Sequence, residues 1–254
     1  MKKKIIIQIL NLINFFWKFI PSTLRKFLIR SILAIESRGD PKKSLKFLFK
    51  IQDYIEQFIN QSALRYEGKH HPKHRLISYH NYFIDNIEDN TKVLDLGCGF
   101  GYVTFEVAKK KPKSTITGIE RVDEKINFAN KEYQLPNLDF ILGDVLNYKF
   151  KINYDIVIMS NIIEHIDDRV NFLKNILSKC KPQKILFRVP DFRRSWQIPL
   201  KKEMGINYFS DDEHFIEPTY EEFEKELNSV GLKIINYKII WGEIWCTTKI
   251  TNYE

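Results

Sequence analysis

Two hydrophobic periods alternate along the second half of this chain. Short apolar runs of five or six residues recur near 92–96, 115–120, 138–142, 154–159 and 184–189. Helix-like spacing follows near 101–110, 122–132 and 165–179. Strands that alternate with helices predict an open α/β fold built on a parallel sheet. Thr219, three residues before Glu222, forms a capping box that starts a further helix, with Phe223, Leu227 and Val230 facing the core. Two last strands, near 232–240 and 243–250, meet at a turn containing Gly242 and predict a terminal antiparallel hairpin.

The first third has a different pattern. Residues 5–20 are apolar except at Gln8, Asn11, Asn14 and Lys18, which fall on one narrow polar stripe of a helix. The run is short of the ~20 residues that span a bilayer, and no small-residue cleavage site follows it. Pro21 ends it. A second basic, apolar segment runs over 23–35, and Ser37 to Pro41 reads as a linker. Residues 44–66 predict a helix with Leu48, Ile51, Ile55, Phe58 and Ile59 on one face. Residues 67–73 predict a loop, and 74–87 a helix that leads into the first strand. The expected organisation is a helical region over 1–66 and a second domain over 67–254.

Charge sharpens that division. Residues 1–75 hold 16 of the 40 Lys+Arg but only 5 of the 32 Asp+Glu. The remaining 24 basic and 27 acidic residues leave the rest slightly acidic. A basic, apolar leading segment points to an anionic partner. Its aromatic residues, Phe15, Phe16, Trp17 and Phe19, cluster on the apolar helix, which favours a membrane surface over nucleic acid. Packing on the protein's own body or on another subunit is the alternative. The three cysteines, Cys98, Cys180 and Cys246, have no paired spacing, which suits a reducing, cytoplasmic compartment.

The chemistry is concentrated at the ends of the predicted strands. Val93 to Gly101 reads VLDLGCGFG, a strand, a glycine turn and a helix start. The second strand ends in Glu120. Gly143-Asp144-Val145 follows the third, and Ser160-Asn161-Ile162-Ile163-Glu164-His165 follows the fourth. A nicotinamide dehydrogenase fingerprint would space its glycines as G-x-G-x-x-G. Here they alternate, and Asp95 precedes them. The ordered series resembles the class I S-adenosylmethionine-dependent methyltransferases, in particular ubiquinone-type O-methyltransferases, over about residues 70–254.

That resemblance implies a seven-stranded Rossmann-like sheet and S-adenosylmethionine as cofactor. It assigns Gly97, Gly99 and Gly101 to the methionyl and ribose parts, and Asp95 to orienting the loop or to the amino group. Glu120 would take the ribose hydroxyls, since a carboxylate accepts two hydrogen bonds at once. Asp144 and Val145 would meet the adenine, and Asn161 would complete the cofactor pocket. Arg75 would hold the cofactor carboxylate, unless His71, His74 and His80 merely form a polar helix face. Glu164 and His165, read as opening the helix after strand four, and His214 are the catalytic candidates on the acceptor side. In ubiquinone-type and small-RNA-end O-methyltransferases an E-x-x-E-H motif, with a further histidine in the RNA enzymes, binds a divalent ion. Asn161 stands here in place of the first glutamate, so no metal ligand is assigned. Arg188, Arg193 and Arg194 beside Phe192 and Trp196 suit an anionic or sugar-bearing acceptor, or else form a solvated lid. The expected activity is O-methylation of a hydroxyl on a glycan or lipid-linked intermediate, by an enzyme peripheral to the inner face of the cytoplasmic membrane. An RNA methyltransferase and a non-enzymatic cofactor-binding regulator or assembly factor are the alternatives.

Overall fold

The computed structural model describes residue 13 and residues 15–68, 71–150 and 152–251. Most of the apolar run over 5–20, with Lys2, Lys3, Lys4 and, further on, His70, lies outside the described residues. The chain divides into two compact units, Met1–His71 and Pro72–Glu254.

In the first unit Phe15, Phe16 and Trp17 are helical. Helix α1 (Ser22–Glu36) follows Pro21, and α2 (Pro41–Glu67) follows a four-residue connection. Asp40 caps α2 by accepting from the Lys43 amide, and Pro41 sits at the first turn, where its missing N–H costs nothing. The Ser44 hydroxyl donates to the Glu36 carbonyl at 2.6 Å and ties the two helices together. Helix α1 has no buried residue, and Leu24, Phe27, Leu28, Ile29, Ile32 and Ile35 are all exposed. The face predicted for α2 is only partly covered. Leu48 and Ile51 are half-buried, whereas Ile55, Phe58 and Ile59 are exposed. No helix of the described residues is long and apolar enough to cross a membrane.

The second unit opens with two short helices, α3 (Lys73–Ile77) and α4 (His80–Asp85), where the pattern predicts one. Ser78 breaks it. Its backbone is left-handed (φ 49°), and its hydroxyl donates to the Arg75 carbonyl, competing with the helical ladder. The sheet then forms from β1 (Lys92–Leu96), β2 (Thr115–Glu120), β3 (Leu138–Leu142), β4 (Ile156–Ser160), β5 (Lys184–Pro190), β6 (Leu232–Ile240) and β7 (Glu243–Ile250). Between them run α5 (Tyr102–Lys110), α6 (Asp123–Glu132), α7 (Arg169–Cys180), α8 (Gln197–Glu203) and α9 (Tyr220–Ser229). Helix α7 starts four residues later than its periodicity suggests, because the Asp168 side chain caps it through the Asn171 amide.

Strand order is β3-β2-β1-β4-β5-β7-β6, parallel except for β7. The expected seven-stranded doubly wound sheet with its antiparallel hairpin is what forms. Helices cover both faces, so successive strand residues bury on opposite sides. Leu94, Leu96, Val157, Met159 and Phe187 face one core, with α7 and α9. Val93, Ile116, Ile156, Ile158 and Trp245 face the other, with α4 and α5. The Thr219–Glu222 capping box forms in full. Strand β6 is the sheet edge, and a register shift between Ile234 and Asn236 bends it.

Candidate active site

Strand order reverses between β1 and β4, which are parallel neighbours. The connection from β1 runs outward to β2 and β3, and that from β4 runs the other way to β5. A cleft opens at the C-terminal ends of these strands, where open α/β sheets bind ligands. Gly97, Gly99, Glu120, Asp144, Val145, Asn161 and His165 line it, together with Ile162, Arg121 and Glu213.

The turn after β1 shows why its glycines are needed. Gly97 has φ 66°, and an added Cβ would stand 2.5 Å from the Ile162 side chain. Gly99 has φ 57°, but nothing lies within 4 Å of where its Cβ would be. A side chain there would fill the cleft rather than clash with protein. Gly101 is the N-cap of α5. Asp95 is buried under the turn, and its carboxylate accepts from the Thr104 hydroxyl at 2.7 Å, which ties β1 to α5. Burial raises its pKa to about 7. The Thr104 bond opposes that shift and nearby Glu120 adds to it.

Glu120 is buried to 6% exposure, yet it lines the cleft. One carboxylate oxygen accepts from the Gly99 amide at 3.1 Å and the other from the Val122 amide at 2.9 Å. Each oxygen keeps a further lone pair. Asp144 is exposed at the cleft wall and accepts from the Leu146 amide and the Asn147 side chain. Asn161 is left-handed (φ 55°), and its side-chain carbonyl is buried with no partner. Its amide group donates to Glu243, and its backbone N–H to the Arg188 carbonyl. Arg75 is exposed on α3 and is absent from the cleft lining. Its neighbour His74 is half-buried, bonded to the Tyr79 hydroxyl at 2.7 Å and packed on Tyr102.

Glu164 and His165 occupy a 3-10 turn (Ile163–His165) ahead of α7, rather than the helix itself. Of the three catalytic candidates only His165 lines the cleft. His214 is buried behind it, with ring centroids 4.4 Å apart at 80°. Glu164 and His214, expected on the acceptor side, are both buried next to His165 and are not among the residues that line the cleft. Glu164 is fully buried, and neither oxygen has a hydrogen-bond partner. Burial lifts its pKa to about 8, with Arg188 opposing the shift. Burial and the neighbouring His214 push His165 below its ordinary value.

Sequence reasoning missed Glu217. It is buried, accepts from His214 Nδ1 at 2.9 Å and from the Ser210 amide and hydroxyl, and forms an ion pair with Arg194. Burial disfavours its charge, but these bonds outweigh it and hold the carboxyl below its usual range. Its place three residues after His214 was the only signal. Glu164, His165 and His214 also offer ligand atoms within 4.8 Å of one another, and the unpartnered Glu164 oxygens suit a divalent ion.

The arginines at the end of β5 and just beyond it are already engaged. Arg188 is buried, forms a bidentate pair with Glu243 at 2.7 Å and stacks on Tyr79. Arg193 meets Glu221, and Arg194 meets Glu217. No surplus positive charge remains on this triad for an anionic acceptor.

The fold and this cleft define a class I S-adenosylmethionine-dependent methyltransferase domain. The chain belongs to the family described as "Methyltransferase domain", which matches residues 87–239. It is 32% identical over 104 residues to the probable (S)-tetrahydroprotoberberine N-methyltransferase 2 of Papaver bracteatum, covering 40% of this chain and 29% of that protein. It is 26% identical over 149 residues to the malonyl-[acyl-carrier protein] O-methyltransferase of Halalkalibacterium halodurans, covering 55% of each. The chain thus spans about a third to a half of the curated relatives it matches. Magnesium protoporphyrin IX methyltransferase from Synechocystis PCC 6803, with bound SAH, has the same fold at a TM-score of 0.55 and 14% identity. That likeness covers 70% of this chain and 83% of that one.

Proposed function

We propose that this protein O-methylates a hydroxyl on a glycan or lipid-linked acceptor at the cytoplasmic face of a membrane, in the manner of ubiquinone-type O-methyltransferases. One observation carries the reading. The Glu120 carboxylate is fixed by two backbone amides on one wall of a cleft whose acceptor side presents His165.

S-adenosylmethionine fits the residues present, and when bound it supplies an electrophilic methyl group on a sulfonium. Glu120 addresses a ribose diol with its two remaining lone pairs. The unpartnered Asn161 carbonyl accepts from an ammonium, and the space at Gly99 admits the ligand close to backbone. Asp144 and Val145 would flank an adenine. An acceptor hydroxyl held beside His165 would receive that methyl group by in-line displacement at carbon. The hydroxyl proton passes to His165, whose ring His214 and Glu217 brace from below. Positioning supplies most of the acceleration in such an in-line displacement. A divalent ion held by Glu164, His165 and His214 would instead polarise the acceptor oxygen. The membrane reading rests on the exposed apolar faces of α1 and α2 and the basic surplus of residues 1–75.

Labelled S-adenosylmethionine, incubated with the full-length protein and separate lipid, polysaccharide, RNA and metabolite fractions, tests the acceptor. Label in the lipid or polysaccharide fraction is expected. Label in RNA alone overturns the acceptor class, and cofactor binding with no transfer to any fraction favours an assembly factor.

A further inference from the structure

The edge strand β6 carries a surface that the proposed reaction does not use. Ile235, Tyr237, Ile239, Ile240 and Trp241 are all exposed, and β6 pairs only with β7. The turn beyond it is unusual. Trp241 (φ 56°) and Gly242 (φ 75°) are both left-handed, the arrangement of a two-residue hairpin turn that normally takes Asn or Asp before Gly. A bulky aromatic residue rarely adopts that backbone. Burial does not offset it, since Trp241 is 67% exposed.

The charges of the strand have one sign. Between Leu232 and Trp241 the charged residues are Lys233 and Lys238, both exposed, with no Asp or Glu. Position matters as well. Glu243 lies opposite Pro190, and the Gly242 carbonyl accepts from the Asp191 amide at 2.9 Å. The turn therefore stands at the sheet edge on which the cleft opens.

We propose that β6 and its turn are a lipid-contact surface of the catalytic unit itself. At the tip of the hairpin Ile239 and Ile240, on opposite faces of the strand, enter the membrane interface, and Trp241 sits at headgroup level, where an amphipathic ring is favoured. Lys233 and Lys238 reach anionic headgroups while their stems stay along the apolar strand. The contact brings the acceptor side of the cleft to the surface from which a lipid-linked hydroxyl is presented. This inference rests on the membrane reading above and adds a second, separate attachment to it. A second copy of the chain pairing along the free edge of β6 is the competing occupant.

The test uses the full-length chain with Trp17→Phe and Trp196→Phe, leaving Trp241 and the fully buried Trp245 as emitters. Phosphatidylcholine vesicles with and without phosphatidylglycerol are added, their acyl chains brominated to quench inserted indoles. Quenching that needs the anionic lipid and disappears in Trp241→Phe is expected. In the wild-type background, Ile239→Ser with Trp241→Ser should lower vesicle co-sedimentation by about threefold or more. Co-sedimentation with Trp241 unquenched overturns this inference and leaves the membrane reading standing. No vesicle association of any variant overturns both. A dimer in sedimentation velocity that Ile239→Ser dissolves assigns the strand to a second copy and overturns the lipid contact.

Discussion

Glu120 has two duties that substitutions can separate. It braces the Gly99 and Val122 amides, and it offers its remaining lone pairs to the cleft. Losing a charge-assisted contact costs about 1.5–3 kcal/mol, so Glu120→Ala should weaken S-adenosylmethionine at least about tenfold by calorimetry. Glu120→Gln should weaken it less, because one oxygen survives. Asp95 gives a pH signature. Its carboxyl titrates near 3.8 when unfolded and near 7 when folded. Between those values the folded protein holds a proton that the unfolded chain has lost. Stability from this group is therefore full below pH ~4, falls as pH rises to ~7, and is flat above. Asp95→Asn should remove that slope in denaturant titrations run across the range. Both acids were legible in the sequence because strand ends and glycine turns leave a pattern. Glu217 and the pairing of Arg188 with Glu243 were not: Glu217 is fixed by an irregular loop and by Arg194, and Arg188 and Glu243 are 55 residues apart.

Elements were easier to read than their edges. All seven strands fall within two residues of the positions expected from periodicity. The misses are local polar events that override it: Ser78 splits a helix, and Asp168 delays another. The capping box at α9 was legible, since its signature is contiguous. Thr219→Ala should cost about 1 kcal/mol, seen as a lower midpoint in chemical denaturation. The β6–β7 turn should respond in the opposite sense. Trp241→Asn places a residue suited to left-handed backbone, and relieving roughly 1 kcal/mol of strain should raise the thermal midpoint by about 2–4 °C. An unchanged or lower midpoint by calorimetry would mean that the Trp241 ring contributes packing that its exposure conceals.

At the scale of the whole molecule, the cofactor candidates all lie in the second unit, and the exposed apolar helices in the first. Deleting residues 1–36 should reduce liposome co-sedimentation sharply and leave S-adenosylmethionine affinity unchanged. Co-sedimentation that falls with salt would show the electrostatic share. Transfer activity, once an acceptor is found, should survive EDTA if His165 takes the proton unaided; loss restored by a divalent ion would assign Glu164, His165 and His214 to metal. The change in character along the chain, from basic and apolar to slightly acidic, could be read from charge and composition. The surface that α1 and α2 meet could not, because an amphipathic face reads alike whether it is covered by lipid or by protein.

Glu243 opens β7, yet its carboxylate grips Arg188 at the end of β5 and the Asn161 side chain beyond β4. It is not among the residues lining the cleft. A genetic screen for loss of cofactor affinity should nevertheless recover it, since freeing Arg188 lets Asn161 leave its left-handed pose. Such an allele would lie 82 residues from Asn161 in the sequence and would masquerade as a donor-contact residue. Its suppressors, in turn, should cluster at the ends of strands four and five rather than beside it in the sequence.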